Sequence, residues 1–500
     1  MCWPGARVCR VRRSHLLGLA APRYTPAAMS PSLPRWPRCA VLAVLSLLSA
    51  CALQSYQPAP LDQEAHAAAY LARRMDDPEL KEYMLAHGHP ASDWPVQRWG
   101  LDDLTLLAFY YHPDLRVARA QAAQARAQVA VAAQPLPLGV KPLVAHHSQK
   151  QNDSNSPWSL GFEIEIPVAG ATRREALTER AGYLAEAAEL EVGATAWRVR
   201  SRVRAALAEL QAARERLALL EQDIEVRRAL VGLLEKRLAA GYVGSVEVAA
   251  VRLRLHEAQG ELSAAQTQTE RALGELAAAM AVPLEAVRQA PLDVAQLDLL
   301  PPPPEASETR AGALRNRVDM RQRLFEFAAA DAEVKLEVAR QYPSFSLRPG
   351  YLWDQGDSVW ALALDLILPP VLGNAPAIQA ARAQRETAAQ IALREQTSII
   401  AQTDSALATY RQSLAGAKAM QQASLTQLAR SGQAQKQFDA GYADRVELTQ
   451  TRLEALTVER NAQNARVEAR RALGRLEDAQ QRPLAGGPVP VFALPDGAQP

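Results

Sequence analysis

The tripeptide Ala240-Gly241-Tyr242 returns 200 residues later as Ala440-Gly441-Tyr442. The match continues downstream at the same offset in these pairs of segments: Val246-Glu247 with Val446-Glu447, Arg252-Leu253 with Arg452-Leu453, Arg271-Ala-Leu-Gly274 with Arg471-Ala-Leu-Gly474, and Pro283 with Pro483. Similarity that persists at one fixed spacing indicates a duplicated structural unit. We therefore expect two internal repeats that share one fold.

Each copy lies in a long stretch without proline, residues 168–282 and 377–482. Continuous helices require this, because proline interrupts helical hydrogen bonding. After each glycine, apolar and small residues recur in alternating steps of three and four, the heptad pattern of a coiled coil. The first copy places these residues at Val248, Val251, Leu255, Ala258, Leu262, Ala265, Thr269, Ala272 and Leu276. The second copy places them at Leu448, Thr451, Ala455, Val458, Ala462, Ala465, Ala469, Ala472 and Leu476.

A similar apolar stripe lies upstream of Gly241 and continues back toward Thr172. Its members are Leu217, Leu220, Ile224, Val231, Leu234 and Leu238. A helix from Thr172 to Ala240 would be on the order of 100 Å long at ~1.5 Å per residue. Because Gly241 and Gly441 each separate two heptad runs, we interpret each glycine as the left-handed residue in the turn of an antiparallel coiled-coil hairpin.

Two segments that precede the long helices alternate between apolar and other residues, as a β-strand with two different faces does. In the first segment the apolar face carries Trp158, Leu160, Phe162, Ile164 and Ile166, and the other face carries Ser159, Gly161, Glu163 and Glu165. The second segment places Trp360, Leu362, Leu364, Leu366 and Leu368 on one face. Residues 143–149 and 344–353 are the expected hairpin partners. Such strands fit a transmembrane barrel, in which a strand has ~9–11 residues.

Two environments suit strands of this kind. In a soluble protein the apolar face would pack on the helices, although the helices offer little other apolar surface. In a membrane that face would contact lipid. Four strands cannot close a barrel alone, and open strand edges are not tolerated in lipid. If these strands span a membrane, the chain must oligomerise.

The composition argues against an ordinary globular enzyme. Aromatic residues make up 5% of the 500 residues, and the 48% of hydrophobic residues are largely alanine, leucine and valine. Such a composition suits long helices packed side by side. Seven of the 56 basic residues lie in residues 1–50, which contain no acid, so the remainder holds 49 basic against 54 acidic residues. This balance gives no support to nucleic-acid binding.

Residues 1–50 have the basic-then-apolar layout of a secretory signal. Arg35 and Arg38 precede the apolar run 40–50, which is far shorter than the ~20 residues of a spanning helix. Met29 is a better start for this signal than Met1, because the residues between them add nothing that export requires.

The end of the apolar run, Leu48-Ser49-Ala50-Cys51, resembles a bacterial lipobox. Cys51 is then expected to be the acylated first residue of a mature lipoprotein, which carries palmitate. The alternative is an ordinary signal peptide with an incidental cysteine. All four cysteines lie in the first 51 residues, namely Cys2, Cys9, Cys39 and Cys51. The body of the chain can therefore form neither an internal disulfide nor a thiolate metal site.

The order of these features resembles the TolC-like outer-membrane efflux channels over about residues 100–480. A signal with a lipobox is followed by a strand pair, a long hairpin and a proline-rich linker, and then by the same strand pair and hairpin. His112-Pro113-Asp114-Leu115 before an alanine-rich helix looks like the family's opening segment, with Arg317-Val-Asp-Met320 as a weaker counterpart. Pro167 and Pro369, where strand gives way to helix, also match.

The resemblance implies a mainly α fold with a small transmembrane β part. Three chains would each contribute four strands to a twelve-stranded barrel, which a long α-helical coiled-coil barrel continues into the periplasm. Each chain would hold two internal repeats. The homotrimer would lie in the outer membrane of a Gram-negative bacterium, anchored by lipid, and dock to a periplasmic adaptor and a proton-driven inner-membrane pump.

In this family the adaptor contacts lie at the hairpin tips. The matching segments are Arg237-Leu-Ala-Ala-Gly241 and Gln437-Phe-Asp-Ala-Gly441, so the expected docking residues are Arg237, Gly241, Tyr242, Phe438, Gly441 and Tyr442. In several members, acidic residues six and nine positions after the second tip glycine ring the closed periplasmic end. Glu447 and Gln450 occupy those positions here, so one acid is kept and the other is lost. The alternative role for Glu447 is a salt bridge within the coiled coil, with Arg452, as for Glu247 with Arg252.

The sequence is thus expected to divide into a signal peptide and five further segments. These are a lipidated N-terminal linker 51–100, a first repeat 101–283, a proline-rich linker 284–312, a second repeat 313–482 and a disordered tail 483–500, after the signal 1–50. Each repeat is expected to contain a helix, a strand pair and a long hairpin.

The expected function is a passive conduit for drug or metal-ion export. Two alternatives stay open: the exit channel of a type I protein secretion system, and a periplasmic coiled-coil tether lipoprotein. No phosphate-binding loop, nucleophile elbow or HExxH motif supports an enzyme or a cofactor. His146 and His147 are adjacent on an expected strand and would point to opposite faces, which disfavours a metal site.

Overall fold

The computed structural model describes residues 56–148, 156–168, 170–368 and 374–484. The chain divides into a unit of residues 1–63, of which 56–63 are described, and a unit of residues 64–500. Residues 56–62 form no helix or strand.

The described residues form long helices around one small sheet. In chain order the elements are α1 Gln63–Leu71, α2 Pro78–Ala86, α3 Leu101–Tyr111, α4 Pro113–Ala133, β1 Gly139–His146, β2 Trp158–Val168, α5 Ala171–Ala239, α6 Ser245–Met280, α7 Leu284–Arg288, α8 Ala306–Asn316, α9 Val318–Ala339, β3 Ser344–Asp354, β4 Asp357–Ile367, α10 Ala375–Asp439 and α11 Arg445–Gln480. Short 3₁₀ turns lie at Ala91–Asp93 and Ala295–Asp298.

Two helical hairpins dominate the fold. Helices α5 and α10 have 69 and 65 residues, and α6 and α11 have 36 each. At ~1.5 Å per residue, α5 is about 100 Å long, as the sequence predicts. Helix α5 packs against α6 and α10 packs against α11, while α5 and α11 join the two hairpins. The heptad positions of α6 and α11 are buried or half-buried, so the small-residue seam does lie between packed helices.

The four strands form one antiparallel sheet in the order β1-β2-β3-β4. Both alternating segments are strands, but their ends differ from the prediction. Strand β2 continues through Pro167 to Val168, which pairs with Phe345, and β4 starts three residues before Trp360. Strand β1 begins at Gly139 and ends at His146. Of its predicted partner range, Gln149 lies outside the described residues, as does Pro369.

The main apolar core lies where the segment before the sheet packs on the middle of α5 and the end of α6. Its largest fully buried side chains include Leu80, Met84, Leu104, Leu107, Phe109, Leu207 and Leu210. The interpretation of residues 51–100 as a linker is wrong in this respect, because α2 contributes two of these side chains. Asp77 caps α2 by accepting a hydrogen bond from Glu79 N at 2.9 Å, and Pro78 starts it, which is a favourable beginning for a short helix.

The predicted linker 284–312 also holds more structure than expected, since it contains α7 and the start of α8. Its proline-rich part is bonded to the helices. Tyr410 donates its hydroxyl hydrogen bond to the Pro301 carbonyl at 2.5 Å, and Arg411 donates to the Pro304 carbonyl at 2.9 Å. The linker therefore lies across the surface of α10 and is hydrogen-bonded to it. In the described part of the chain, no helix is both long and apolar enough to cross a membrane.

Candidate functional site: hairpin tips and sheet faces

Both hairpin tips have the same backbone geometry. At the first tip, Tyr242 N donates to Arg237 O at 2.9 Å and Gly241 N donates to Leu238 O at 2.9 Å. These two bonds form a Schellman motif, which ends a helix with a left-handed residue. Gly241 has φ +79° and Gly441 has φ +78°, a region that glycine adopts without strain. The prediction that both glycines turn the chain is confirmed.

The second tip repeats the arrangement 200 residues later. Tyr442 N donates to Gln437 O at 2.9 Å and Gly441 N donates to Phe438 O at 3.0 Å. The tyrosines that follow the glycines are both largely exposed, whereas Phe438 is half-buried. Each tip therefore presents one aromatic ring to solvent.

Arg237, predicted as a docking residue, is engaged within the chain. Its guanidinium forms a hydrogen-bonded ion pair with Asp444, at the start of α11, and the two side chains are 38% and 46% exposed. Asp444 is also the N-cap of α11, because its carboxylate accepts a hydrogen bond from Val446 N at 3.2 Å. The hydrogen bond from Arg237 lowers the pKa of Asp444. One ion pair thus joins the end of the first hairpin's long helix to the beginning of the second hairpin's short one.

A small apolar cluster lies next to this ion pair and joins the same helices. Its buried members are Leu230, Leu234, Val248 and Val446. Since Val446 comes from α11 and the others come from α5 and α6, the two tips are packed together by apolar contact as well as by charge.

Glu447 and Gln450, the predicted gate residues, are both exposed on α11. The salt bridges proposed as the alternative role of Glu447 and Glu247 are not formed, because Arg452 and Arg252 bind other side chains. Arg252 Nε donates to Glu235 Oε1 at 2.9 Å across the first hairpin, and Arg452 donates to Gln435 across the second. Among the described residues, no ion pair involves Glu447 or its counterpart Glu247. Each arginine binds a side chain 17 residues upstream, on the other helix of its hairpin. A heptad pattern alone does not reveal this partner.

The apolar face of the sheet is exposed over its whole width. Trp360 is 79% exposed. Other exposed apolar side chains on this face are Val140, Val144, Trp158, Leu160, Phe162, Leu362, Leu364 and Leu366. The alternative in which this face packs on the helices is wrong for the described residues. A contiguous apolar surface of this size marks a contact with another protein or with lipid.

The opposite face of the sheet carries charges from all four strands. Lys141 Nζ lies 2.8 Å from Glu165 Oε2, and Arg348 Nη1 lies 3.1 Å from Glu163 Oε1. Arg348 also pairs with Asp365. The two faces of the sheet therefore differ in polarity as the alternating sequence predicts.

A third group of charges lies in the helical body and was not predicted. Glu477 on α11 has a side chain only 2% exposed and lies 2.9 Å from Arg204 Nε and 4.0 Å from Arg200 Nη1, both on α5. Arg470, also buried, bonds Glu215 and Asp298. Burial raises the pKa of nearby Tyr410 to about 12, so its hydroxyl remains a donor to the linker.

The adjacent histidines separate as expected for a strand end. The His146 ring packs against Trp158 with ring centroids 4.7 Å apart, on the apolar side. His147 Nε2 lies 2.7 Å from Ser159 Oγ, on the polar side. No group of three or more potential metal ligands occurs in the ranges that the structure covers. Cys51 lies outside those ranges.

Comparison with known proteins gives a consistent result. Residues 107–282 match the family model described as outer membrane efflux protein. Over 324 residues, the chain is 26% identical to the pyoverdine export outer membrane protein OpmQ of Pseudomonas aeruginosa. That alignment covers 61% of this chain and 66% of OpmQ, so the chain spans just under two thirds of the length of this curated relative.

Solved structures of outer-membrane proteins share the fold. VceC of Vibrio cholerae matches with a TM-score of 0.63 at 19% identity, over 76% of this chain and 95% of VceC. The Campylobacter jejuni channel CmeC matches with a TM-score of 0.61 at 15% identity, over 87% of this chain and 90% of CmeC. At these identities the likeness concerns the fold. The family match over residues 107–282 and the sequence relative agree with this likeness, so the chain is similar to outer membrane efflux proteins both in that part of its sequence and in its fold.

Proposed function

We propose that this protein is the outer-membrane channel of a tripartite efflux system. It would act as a passive homotrimeric conduit from the periplasm to the exterior, docked to a periplasmic adaptor and a proton-driven inner-membrane pump. The observation that carries the proposal is the sheet, which has one broad exposed apolar face and one charged face.

A sheet with these two faces suits a barrel wall between lipid and water. Its edge strands β1 and β4 would need partners, because unpaired backbone groups are costly in lipid. Three copies supply twelve strands, an even number within the range of outer-membrane barrels. A periplasmic tether would not need an exposed apolar face, so the sheet disfavours that alternative.

The two helical hairpins would form the periplasmic part of the conduit. Their equal short helices, matching tip geometry and constant offset of 200 residues support a duplicated hairpin. Twelve helices from three copies would then enclose a water-filled tunnel. Such a tunnel selects its cargo weakly, so the pump would choose between drugs and metal ions.

The tips would carry the adaptor contact. Tyr242 and Tyr442 are the exposed aromatic residues beside the two turns, and exposed aromatic side chains often anchor protein interfaces. Gly241 and Gly441 fix the turns that present them. Phe438 would support its tip from a half-buried position, and Arg237 would act by tying the tips together.

The closed state of the proposed channel would depend on Glu447, near the start of α11. Glu447 is exposed there, and three copies near a threefold axis would bring like charges together. Such a ring favours protonation or a bound cation. With Gln450 at the second position, this ring would have one acidic layer.

Cys51 would be acylated after export and would anchor the chain to the periplasmic side of the outer membrane. The lipobox-like Leu48-Ser49-Ala50-Cys51 supports this step. Residues that follow Cys51 would then lead to α1 without a further anchor being required.

Affinity isolation after cross-linking in cells tests the proposed function. We expect the tagged chain to carry both an adaptor and a proton-driven pump. Recovery of an ATP-driven protein-secretion transporter would instead support the type I alternative. Recovery of intact trimers with neither partner would contradict the tripartite proposal.

A further inference from the structure

The charged face of the sheet carries an ion-pair ladder that crosses all four strands. It consists of Lys141 on β1, Glu163 and Glu165 on β2, Arg348 on β3 and Asp365 on β4. Each pair is diagonal. Lys141 faces Glu163 in the register but binds Glu165, and Arg348 faces Ala363 but binds Asp365. Each bond therefore connects residues offset by two from direct partners, a distance that long side chains can span.

The ladder ends in opposite charges at the two edges of the sheet. Lys141 lies on edge strand β1 with a side chain 53% exposed, and Asp365 lies on edge strand β4 with a side chain 42% exposed. Glu163 and Arg348, in the middle, are each only 24% exposed. A carboxylate accepts several hydrogen bonds, so Asp365 can bind Arg348 and a second cation. The free sides of the two edges are complementary in charge.

The geometry of a closed barrel predicts which residues meet across the edges. Straight across the sheet, Lys141 aligns with Glu163, Gly350 and Ala361. In a barrel, four strands spaced ~4.8 Å apart and tilted by ~40° shift the register by about 16 Å, or about five residues of ~3.3 Å. The shift must be even, because an odd shift would turn the charged face outward. It is therefore four or six residues from Ala361.

Only one direction of this shift keeps the edge strands beside each other. Toward the helices, Lys141 of the next copy would lie opposite Asp365 or Ile367. If the shift runs toward the turn at Gln355 and Gly356, Lys141 of the next copy would lie at or beyond the first residue of β4. The rest of β1 would then have no strand to pair with. With a shift of four residues, Asp365 is the direct partner of Lys141. With a shift of six residues, Asp365 is its diagonal partner, and the three ion pairs within the chain have the same diagonal geometry.

We propose that Asp365 of one copy binds Lys141 of the next, so that the ladder closes into a continuous ring of charges around the inside of the barrel. This inference rests on the proposed trimeric channel and names the residues that set the register between copies. The ladder within one chain is incomplete at both ends, and a second copy of this chain completes it.

Cysteine cross-linking in the full-length protein tests the assignment. No native cysteine follows Cys51, so Lys141→Cys with Asp365→Cys places the only reactive pair in the body of the chain. A bismaleimide that spans ~8 Å reaches a direct or diagonal partner but not the ~14 Å across three strand spacings within one copy. The matched control is Lys141→Cys with Ala361→Cys, which lies on the same face of β4 at the unshifted position.

We expect the Asp365 pair to give covalent dimers and trimers and the Ala361 pair to stay near background, with at least a tenfold difference in yield. Should the Asp365 variant fail to assemble, Lys141→Cys with Ile367→Cys reports the same register. Trimers in which the Ala361 pair cross-links as well as or better than these pairs would overturn the assignment while leaving the channel intact. Protein that native mass spectrometry shows only as single copies would overturn the channel and the ring together.

Discussion

If the protein forms the proposed channel, breaking the Arg237–Asp444 ion pair that joins its two hairpin tips should favour the open state. Arg237→Gln removes the charge that holds Asp444 at the start of α11, and the second tip already has glutamine at the equivalent position 437. The variant should fold normally, because the Schellman turn at Gly241 depends on backbone bonds. We therefore expect a change in gating without a change in assembly.

The size of the effect follows from the exposure of the pair. With side chains 38% and 46% exposed, solvent screens the interaction, and such pairs contribute ~0.5–1 kcal/mol. In a threefold assembly that opens in concert, the total is ~1.5–3 kcal/mol, or about 10- to 150-fold in the opening equilibrium. The pKa of Asp444 is lowered. The stabilising effect of the ion pair is therefore complete at pH values above the ordinary aspartate pKa of ~3.9. It is lost only as the pH falls through the lowered pKa of Asp444.

Open probability in planar bilayers measures the effect. Asp444→Asn should act like Arg237→Gln, since asparagine still caps a helix, and the double variant should add nothing further. Lys236→Gln removes one charge from the same helix end, where Lys236 is exposed, and should leave gating unchanged. Equal open probability for Arg237→Gln and Lys236→Gln, or full additivity of Arg237→Gln and Asp444→Asn, would show that the Arg237–Asp444 pair does not hold the closed state.

Three further outcomes are expected. Glu447→Gln should alter cation block or selectivity in single-channel recordings while Glu247→Gln does not, and identical recordings would remove Glu447 from the gate. Glu477→Gln leaves two buried arginines without their carboxylate and should lower the free energy of unfolding by ~3–5 kcal/mol. It should therefore lower the thermal midpoint in detergent well below that of the exposed control Glu468→Gln, and equal midpoints would contradict this. Mass spectrometry of the mature terminus should find a diacylglyceryl group on Cys51, and an unmodified terminus elsewhere would exclude lipidation.

The hairpins and strands were predictable because their signals are local and repeated. A heptad seam identifies a packed helix face, and alternation over Trp158–Ile166 identifies a strand with two faces. The glycine turns were predictable because the same break occurs in both copies. Each of these features is fixed by spacing along the chain.

The features that the sequence did not reveal depend on distant partners. Arg237 and Asp444 are 207 residues apart. The only sequence signal for this pair is that Asp444 replaces the glycine found at the equivalent position 244 of the first copy. The burial of Glu477 against α5 follows from the packing of two hairpins, which composition does not specify. The helices of residues 63–86 were missed because they are short and their apolar residues show weak periodicity.

The proposed function requires the sheet to cross the outer membrane with the helices in the periplasm. Labelling with a membrane-impermeant maleimide tests it, using Asp357→Cys beside the β3–β4 turn and Tyr442→Cys at the second tip, both exposed positions. We expect Asp357→Cys to label on intact cells and Tyr442→Cys to label only after the outer membrane is permeabilised. Protection of both positions on intact cells, with labelling of both after permeabilisation, would show that the sheet does not cross the outer membrane and would favour a periplasmic protein.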